Sequence, residues 1–207
     1  CLGSIISDVE DVEAEKQMLI NQGVKPLAVI PKSRELSMRT AREVLQVLDD
    51  GVCLYGTEHL DMSIDKMWIH TNQVNDLLPL IEDKQLAIMS HKRTDIVMSL
   101  LLAAQSTNAP DISGILFTNF KPGDMNPKIA SILDGISDMR IPIIATSADT
   151  FEAAKKIEKT PAFVMPESHS KINKAIALMD DNLDFTLLDQ FQSDEVVEDK
   201  RDIGDRK

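Results

Sequence analysis

The stretch LAIMSHKRTD, residues 86–95, places a short apolar run directly before a cluster of polar residues and the start of a helical segment. The same arrangement recurs in GILFTNFKPGD, residues 114–124, and in IPIIATSADT, residues 141–150. Short continuous apolar strands that alternate with helices are typical of a parallel sheet covered by helices on both faces. The sequence therefore predicts a three-layer α/β fold, organised around residues 86–157.

The polar clusters after these strands should meet at the carboxyl ends of the strands, because parallel strands all end on the same side. We call this side the carboxyl edge of the sheet. In open α/β sheets, ligands usually bind outside the carboxyl ends of the strands. Lys92, Arg93 and Lys121 add positive charge there, and helix amino termini favour anions. The candidate ligand-binding residues are Ser90, His91, Lys92, Arg93, Asp95, Thr118, Asn119, Asp149 and Thr150.

A structural interpretation of the same residues stays open. Thr94, Asp124 and Asp149 stand where helices are expected to begin, so they fit ordinary helix caps. Arg93 fits an ion pair with Asp95 or with Asp149. Under this interpretation the polar clusters stabilise the loops and bind nothing.

The same clusters do not suggest catalysis or metal binding. His91 is the one histidine among them, and a general acid or base needs a second positioned group. His59, His70 and His169 are scattered, without the spacing of metal ligands.

Phe120 is a large apolar residue at the expected tip of a loop, which suggests a lid or an interface.

The composition restricts the class of partner. The chain has 207 residues, a net charge of -12 and a pI near 4.7, which opposes binding to nucleic acid or to anionic membranes. Cys1 and Cys53 lie outside any zinc or disulfide spacing. No run approaches the roughly 20 apolar residues that span a bilayer. We expect a protein of the cytoplasm or of an organelle stroma, without membrane insertion.

The flanking segments extend the α/β pattern. Further strands are predicted at Leu2–Ile6, Pro26–Pro31, Lys66–His70 and Ala162–Met165, and helices from Ser7 or Asp8, across Ser37–Asp49 and Thr71–Ile81, and from Ser168. An amphipathic turn or two over residues 183–191 ends the fold, and residues 192–207 are expected to form a disordered acidic tail because they carry almost no apolar bulk. Since the chain opens at Cys1 rather than Met, we also expect residues upstream.

Two parts of the sequence resemble known families. Leu2–Pro31 is similar to the closing part of a dethiobiotin-synthetase-like P-loop domain, in which a strand, a helix and a strand ending as Val29-Ile30-Pro31 precede a segment like Arg34-Glu35-Leu36. The next part of the chain resembles the DRTGG domain in the amino-terminal half of long phosphate acetyltransferases and in related stand-alone proteins. The resemblance implies a P-loop part at 1–62, a DRTGG-type domain at 63–191 and a tail at 192–207.

The motifs that carry the DRTGG resemblance are partly substituted. His91–Asp95 stands where the family usually has Gly-Asp-Arg-x-Asp, so Arg93 and Asp95 are kept. Leu116–Phe120 stands in place of Leu-Thr-Gly-Gly, with Asn119 and Phe120 at the paired glycines. Asp149-Thr150-Phe151 agrees with the family's Asp-Thr-aromatic helix start.

The loops and the resemblance together predict a non-catalytic regulatory and assembly region. It would sense a small anionic metabolite or nucleotide, hold no cofactor of its own, and form a homo-oligomer or bind a partner subunit. One alternative is a part of a phosphate acetyltransferase or ATP-dependent ligase-like enzyme whose reacting residues lie outside this chain, since no GxxxxGK[ST] loop is present. A second alternative is a purely structural interaction subunit.

Overall fold

The computed structural model describes residues 4–70 and 73–184 and divides into two compact units. The first unit comprises the chain up to Arg34 together with the chain from His169, and the second comprises Glu35–Ser168. The predicted boundary between residues 62 and 63 falls inside the second unit. Residues 185–207 include the predicted tail and most of the closing amphipathic turns, which lie outside the described residues.

The first unit is a small α/β arrangement. It contains strands β1 (Ser4–Val9) and β2 (Pro26–Pro31), paired in parallel, and helices α1 (Val12–Asn21) and α8 (His169–Asn182). Helix α1 begins one turn later than predicted, because Asp11 accepts a hydrogen bond from the Ala14 amide (3.1 Å) and caps the helix in place of Ser7 or Asp8. The expected strand–helix–strand order is present.

The second unit carries the remaining elements, the first of which is a helix that begins at Arg34, the last residue before this unit. In chain order they are α2 (Arg34–Ser37), β3 (Arg39–Thr40), α3 (Ala41–Val47), β4 (Val52–Tyr55), β5 (Ser63–Ile64), β6 (Lys66–Ile69), α4 (Val74–Leu77), β7 (Gln85–Ser90), α5 (Thr94–Gln105), β8 (Gly114–Thr118), α6 (Pro127–Asp134), β9 (Ile143–Ala145) and α7 (Thr150–Lys159). Short 3-10 helices lie at Thr57–His59 and Leu78–Leu80. Strands β3 and β5 form a separate antiparallel pair.

A five-stranded sheet in the order β4-β9-β8-β7-β6 forms the centre of this unit. Strands β6, β7, β8 and β9 run parallel, and β4 pairs antiparallel with β9 at one edge. The parallel direction of the organising strands is therefore confirmed. Strand β4 was not among the predicted strands.

Helices cover both faces of the sheet. Ala87, Ile115 and Ile143 point to one face, where they pack with residues of α4, α5 and α6. Leu116 and Ile144 point to the other face, where they pack with residues of α3 and α7. All five of these strand residues are fully buried. This arrangement confirms the predicted three-layer α/β fold and explains why the strands are apolar throughout.

Two predicted elements differ in the structure. The helix predicted at Ser37–Asp49 is shorter in the structure, where it forms α3 (Ala41–Val47). It begins after Thr40 because Thr40 and Glu43 form a capping pair, in which the Glu43 amide donates to Thr40 Oγ1 (3.2 Å). The prediction of a strand at Ala162–Met165 is wrong, because this segment pairs with no described strand. The Phe163 amide instead donates to the buried Glu43 carboxylate (3.1 Å).

Gly56 fixes the approach of β4 to the chain before β9. Its φ is +69°, and a Cβ built there would lie 2.4 Å from the Ile141 carbonyl oxygen. We expect Gly56→Ala to lower the free energy of unfolding by more than the roughly 1–2 kcal/mol that a left-handed backbone costs an L-residue, because the Cβ also clashes with backbone. Urea denaturation followed by the fluorescence of Trp68, the one tryptophan, measures this change.

Gly123 provides the matched control in the same unit. It also has a positive φ of +93°, but a Cβ there meets nothing within 4 Å. Gly123→Ala should therefore show the backbone cost alone. Equal losses in the two variants would contradict the role assigned to the Gly56–Ile141 contact.

Candidate functional site

The polar loops after β7, β8 and β9 emerge side by side. Ser90 at the end of β7 pairs with Thr118 at the end of β8, and β9 is the next strand in the same direction. The predicted convergence of the loops at one sheet edge is therefore confirmed. Strand β6 runs in the same direction, so its last residue, Ile69, also lies at this edge.

The loops after β8 and β9 are tied together by backbone hydrogen bonds. The Asn119 amide donates to the Ala148 carbonyl (2.8 Å), and the Phe120 amide donates to the Thr146 carbonyl (2.9 Å). Asn119 has a φ of +53°, so it adopts the left-handed backbone for which glycine is the usual residue. The exposed Asn119 thus forms the turn at a position where the resemblance implies a glycine.

The hydroxyl groups of Thr118 and Thr150 form a hydrogen bond with each other. Their Oγ1 atoms lie 2.7 Å apart, and Thr118 is fully buried. This hydrogen bond joins the end of β8 to the first residue of α7. Thr118 is therefore a structural residue at this edge, whereas Thr150 also faces a cavity described below.

Phe120 is buried, with 7% of its surface exposed, so the prediction of an exposed loop tip is wrong. The loop turns back at Asn119, and the Phe120 ring packs into the core on the α4–α6 face. His91 lies edge-on to this ring, with centroids 5.4 Å apart. Its Nδ1 lies 3.5 Å from the Thr118 carbonyl oxygen. His91 therefore links two of the loops by packing.

Arg93 and Asp95 form an ion pair at the start of α5. The guanidinium donates to both carboxylate oxygens, at 3.2 Å and 3.1 Å. The hydrogen bonds from Arg93 lower the pKa of Asp95, and the same bonds raise the pKa of Arg93. Lys92 beside them is exposed. The ion pair expected under the structural interpretation is present with Asp95, and it holds the arginine at the helix amino terminus.

The helix starts confirm one of the three predicted caps and correct the other two. Thr94 is the first residue of α5, and Arg93 holds the cap position before it. Asp149 caps α7, since its Oδ1 accepts a hydrogen bond from the Glu152 amide (2.8 Å). Asp124 caps no helix and instead accepts from the Lys121 amide (3.0 Å). Helix α6 begins later, at Pro127, with Asn126 as its cap.

A cavity of about 430 Å³ opens at this edge, between the ends of β6 and β7 and the start of α7. Its lining residues are Ile69, His70, Met89, Ser90, Arg93, Thr150 and Phe151. Ser90, Arg93 and Thr150 were predicted as site residues. The other four were missed, although His70 ends a predicted strand and the same-edge rule for parallel strands would have placed it here.

His70 is the least usual residue of this cavity. Only 5% of its surface is exposed, and its Nε2 has no hydrogen-bond partner among the described residues. The ring stacks on Trp68, two residues earlier in the chain, with centroids 5.7 Å apart. Burial lowers the pKa of His70 to about 4, so the imidazole is neutral at physiological pH.

A second cavity, of about 650 Å³, lies between the loop after β9 and the side of α7. Asp50 on its wall accepts hydrogen bonds from the Thr146 hydroxyl (2.6 Å) and the Ser147 amide (2.9 Å). Hydrogen bonds from Ser147 and Thr146 lower the pKa of Asp50 to about 2. Lys156 on α7 forms an ion pair with Asp49 at 2.5 Å.

The described part of the chain shows neither a metal cluster nor a helix that could cross a membrane. Among residues 4–70 and 73–184, no group of His, Cys, Asp and Glu side chains is placed to hold a metal ion. No helix in those residues is long and apolar enough to cross a bilayer.

The sheet order and its two helical layers place the second unit among three-layer α/β domains. Within that class, residues 43–160 match the DRTGG domain, and the chain belongs to this family.

Relatives that resemble the chain over most of its length include phosphate acetyltransferases. That of Nitratidesulfovibrio vulgaris is 29% identical in an alignment of 191 positions that covers 87% of this chain and 26% of the relative. That of Synechocystis sp. is 28% identical in an alignment of 190 positions that covers 88% of this chain and 26% of the relative. The chain thus spans about a quarter of the length of these proteins.

A solved structure is also similar to the chain. It contains the CBS and DRTGG domains of the regulatory region of Clostridium perfringens pyrophosphatase, complexed with the activator diadenosine tetraphosphate. It aligns with a TM-score of 0.41 and 10% sequence identity, over 79% of this chain and 77% of that chain.

The Asp50 contacts generate a prediction about acid stability. An unfolded aspartate titrates near a pKa of about 3.9, whereas folded Asp50 titrates at about 2. The contacts therefore stabilise the folded protein above about pH 4, and this stabilisation is lost as the pH falls from about 4 to about 2. Asp50→Asn should lower the free energy of unfolding by about 1 kcal/mol at neutral pH, a value reduced for solvent exposure. Near pH 2 it should leave the free energy of unfolding almost unchanged.

Urea denaturation of both proteins between pH 2 and pH 7, followed by Trp68 fluorescence, measures the difference. Asp180→Asn, a change at an exposed aspartate of α8, serves as the control for loss of one carboxylate. A constant difference between the Asp50 variant and the parent protein across this pH range would contradict the assignment.

Proposed function

We propose that this chain is a non-catalytic regulatory region that binds a small anionic metabolite or nucleotide at the carboxyl edge of the β6–β9 sheet. The observation that supports this most directly is the cavity at that edge, which Arg93 and the first residues of α7 line together. The amino terminus of α5 adjoins it at Thr94.

The local charge favours an anion although the whole chain is acidic. Arg93 presents a planar fork of N–H donors, which suits carboxylates and phosphates. Lys92 is exposed next to it. The amino termini of α5 and α7 add partial positive charge at the same edge, and both helices have at least ten residues.

The contacts of the predicted site residues favour binding over catalysis. Thr118 is engaged with Thr150, Asp95 with Arg93, and Asp149 with the Glu152 amide. A nucleophile or general base must reach a substrate, and these side chains are held in structural contacts. Regulation would then result from differential binding, in which the ligand favours one of two arrangements of the protein.

Self-association is part of the proposal. Apolar side chains are exposed on the second unit, with Leu102 at 74% and Phe151 at 70%. Exposed apolar surface of this kind favours contact with another protein surface. Phe151 also lines the cavity, so a ligand there would alter the surface that a second copy or a partner subunit meets.

A second candidate function comes from the relatives. Their similarity to this chain over nearly nine-tenths of its length favours a part of a longer phosphate acetyltransferase-like protein, whose acetyl transfer would take place on residues outside this chain. The resemblance of Leu2–Pro31 to a P-loop domain would favour an ATP-dependent ligase-like protein instead. A purely structural subunit is the third candidate, favoured by the substituted glycines at Asn119 and Phe120.

The anion proposal predicts that Arg93 controls binding. Isothermal titration calorimetry of the full chain with ATP, acetyl-coenzyme A, diadenosine tetraphosphate and inorganic phosphate should detect binding of at least one of them. Arg93→Ala should weaken that binding about tenfold or more, because a charged hydrogen bond contributes about 1.5–3 kcal/mol.

Arg140→Ala is the matched control. Arg140 also pairs with an aspartate two residues away, Asp138. Because Arg140 precedes β9, it lies near the amino ends of the parallel strands, away from the proposed site. Light scattering coupled to gel filtration reports the oligomeric state with and without ligand. If no probe binds and neither the ligands nor Arg93→Ala changes the assembly, the regulatory proposal is overturned and the structural candidate is favoured.

A further inference from the structure

Strand β6 is an outer strand of the five-stranded sheet and has a neighbour on one side only. It pairs with β7, and no described strand lies beyond it. The amides of Lys66 and His70 donate to carbonyl oxygens just before and within β7, at 3.3 Å and 3.0 Å. Alternate residues of a strand in a parallel ladder bond the same neighbour. The N–H and C=O groups of Met67 and Ile69 therefore point away from β7, towards the free side of the strand.

The other outer strand of the sheet, β4, is protected against further pairing. Its register with β9 shifts between Cys53 and Tyr55, as at a β-bulge, and Asp49 and Asp50 lie shortly before it. Bulges and charges are common means by which outer strands avoid pairing with another chain. Strand β6, by contrast, keeps a regular register with β7 along its whole length. Of these two strands, β6 is the one that a further strand can extend.

Apolar side chains lie next to the free side of β6. Ile69 is 40% exposed, and Phe151, at the start of α7, is 70% exposed. Both residues line the cavity at the carboxyl edge. Met67 and Trp68 are half-buried. Unpaired backbone groups beside exposed apolar side chains are the features to which an added β-strand binds.

The charges on β6 favour a second copy of the same strand as the partner. The segment from Lys66 to His70 contains no acidic residue, although the net charge of the chain is -12. A basic partner would find no carboxylate on this strand. Lys66 forms an ion pair with Glu82, and burial lowers the pKa of His70 to about 4, so its ring is neutral at physiological pH. Two such strands can therefore pair without like charges opposite each other.

We propose that β6 pairs antiparallel with β6 of a second copy of this chain, about a twofold axis at Trp68, and so joins the two five-stranded sheets into one. In this register Met67 of each copy lies opposite Ile69 of the other, and each such pair exchanges both of its N–H···O bonds. The outward-facing backbone groups are then all satisfied. Trp68 lies opposite Trp68 of the second copy, and Lys66 lies opposite the neutral His70.

The inference rests on the proposed function, since it assigns a surface and a partner to the self-association that belongs to it. Ile69 connects the two, because its backbone lies in this interface and its side chain lines the cavity at the carboxyl edge. The same twofold pairing is isologous, so it closes at a dimer.

Light scattering coupled to gel filtration of the full chain, from micromolar to near-millimolar concentration, measures the dimer. Met67→Pro should raise the Kd of the dimer at least tenfold, because it removes an outward N–H and no bond to β7, a position at which outer strands tolerate proline. Ile69→Lys should do the same by placing a charge in the interface, and it tests the proposal even if Met67→Pro fails to fold. Val52→Lys, at a 47% exposed residue of β4, is the matched control and should leave the Kd within twofold.

A cysteine cross-link tests the register of the two strands. In a chain carrying Cys1→Ser and Cys53→Ser, Trp68→Cys should form an intermolecular disulfide with oxidised glutathione. Directly opposed residues of a non-hydrogen-bonded pair have Cα atoms about 4.5 Å apart, which a disulfide can bridge. Met67→Cys is the control, because it lies opposite Ile69 and its two copies are too far apart to bridge. A cross-link at position 67 and none at position 68 would overturn the proposed pairing.

The outcomes separate this inference from the proposed function. If Met67→Pro and Ile69→Lys dimerise as tightly as the parent protein, the inference fails, and self-association through another surface, such as that of Leu102, stands. If the parent protein is monomeric at every concentration, the inference fails together with the self-association in the proposed function. Anion binding is measured separately, by calorimetry with Arg93→Ala, and its result does not depend on the dimer.

Discussion

Parallel hydrogen bonding among β6, β7, β8 and β9 is the constraint on which the rest of the second unit depends. A parallel sheet requires crossover connections, and these place helices on its faces. Its strand interiors must then be apolar on both sides, as the fully buried Ile115 and Leu116 on opposite faces show. The polar residues of these segments are left at the strand ends, so the same constraint that builds the core also assembles the candidate site.

The loops at this edge differ in their contacts: some are bonded to each other, and others line a cavity. Those after β8 and β9 are joined to each other through Asn119, Phe120 and the Thr118–Thr150 hydrogen bond. The polar and charged groups near β6 and β7 are arranged differently. Ser90 and Arg93 line a cavity there together with His70, and Arg93 forms an ion pair with Asp95. Binding is therefore proposed at the β6–β7 side of the edge.

Membership of the DRTGG family does not depend on the glycines that give the family its name. Asn119 reaches a φ of +53° at one of those positions, since a short polar side chain tolerates the left-handed region better than most. Phe120 stands at the other and contributes its ring to the core. In this chain the turn at Asn119 and Phe120 is held by packing and by backbone hydrogen bonds.

The sequence alone determined the α/β class, the direction of β7, β8 and β9, and the edge where their loops meet, because apolar runs followed by polar clusters are local signals. It also identified Ser90, Arg93 and Thr150 as residues of that edge. The tertiary structure decided the pairing of β4 with β9, the burial of Phe120 and the place of His70 in a cavity with Arg93 and Phe151. These features depend on which distant segments become neighbours, and a pattern read along one chain does not contain that information.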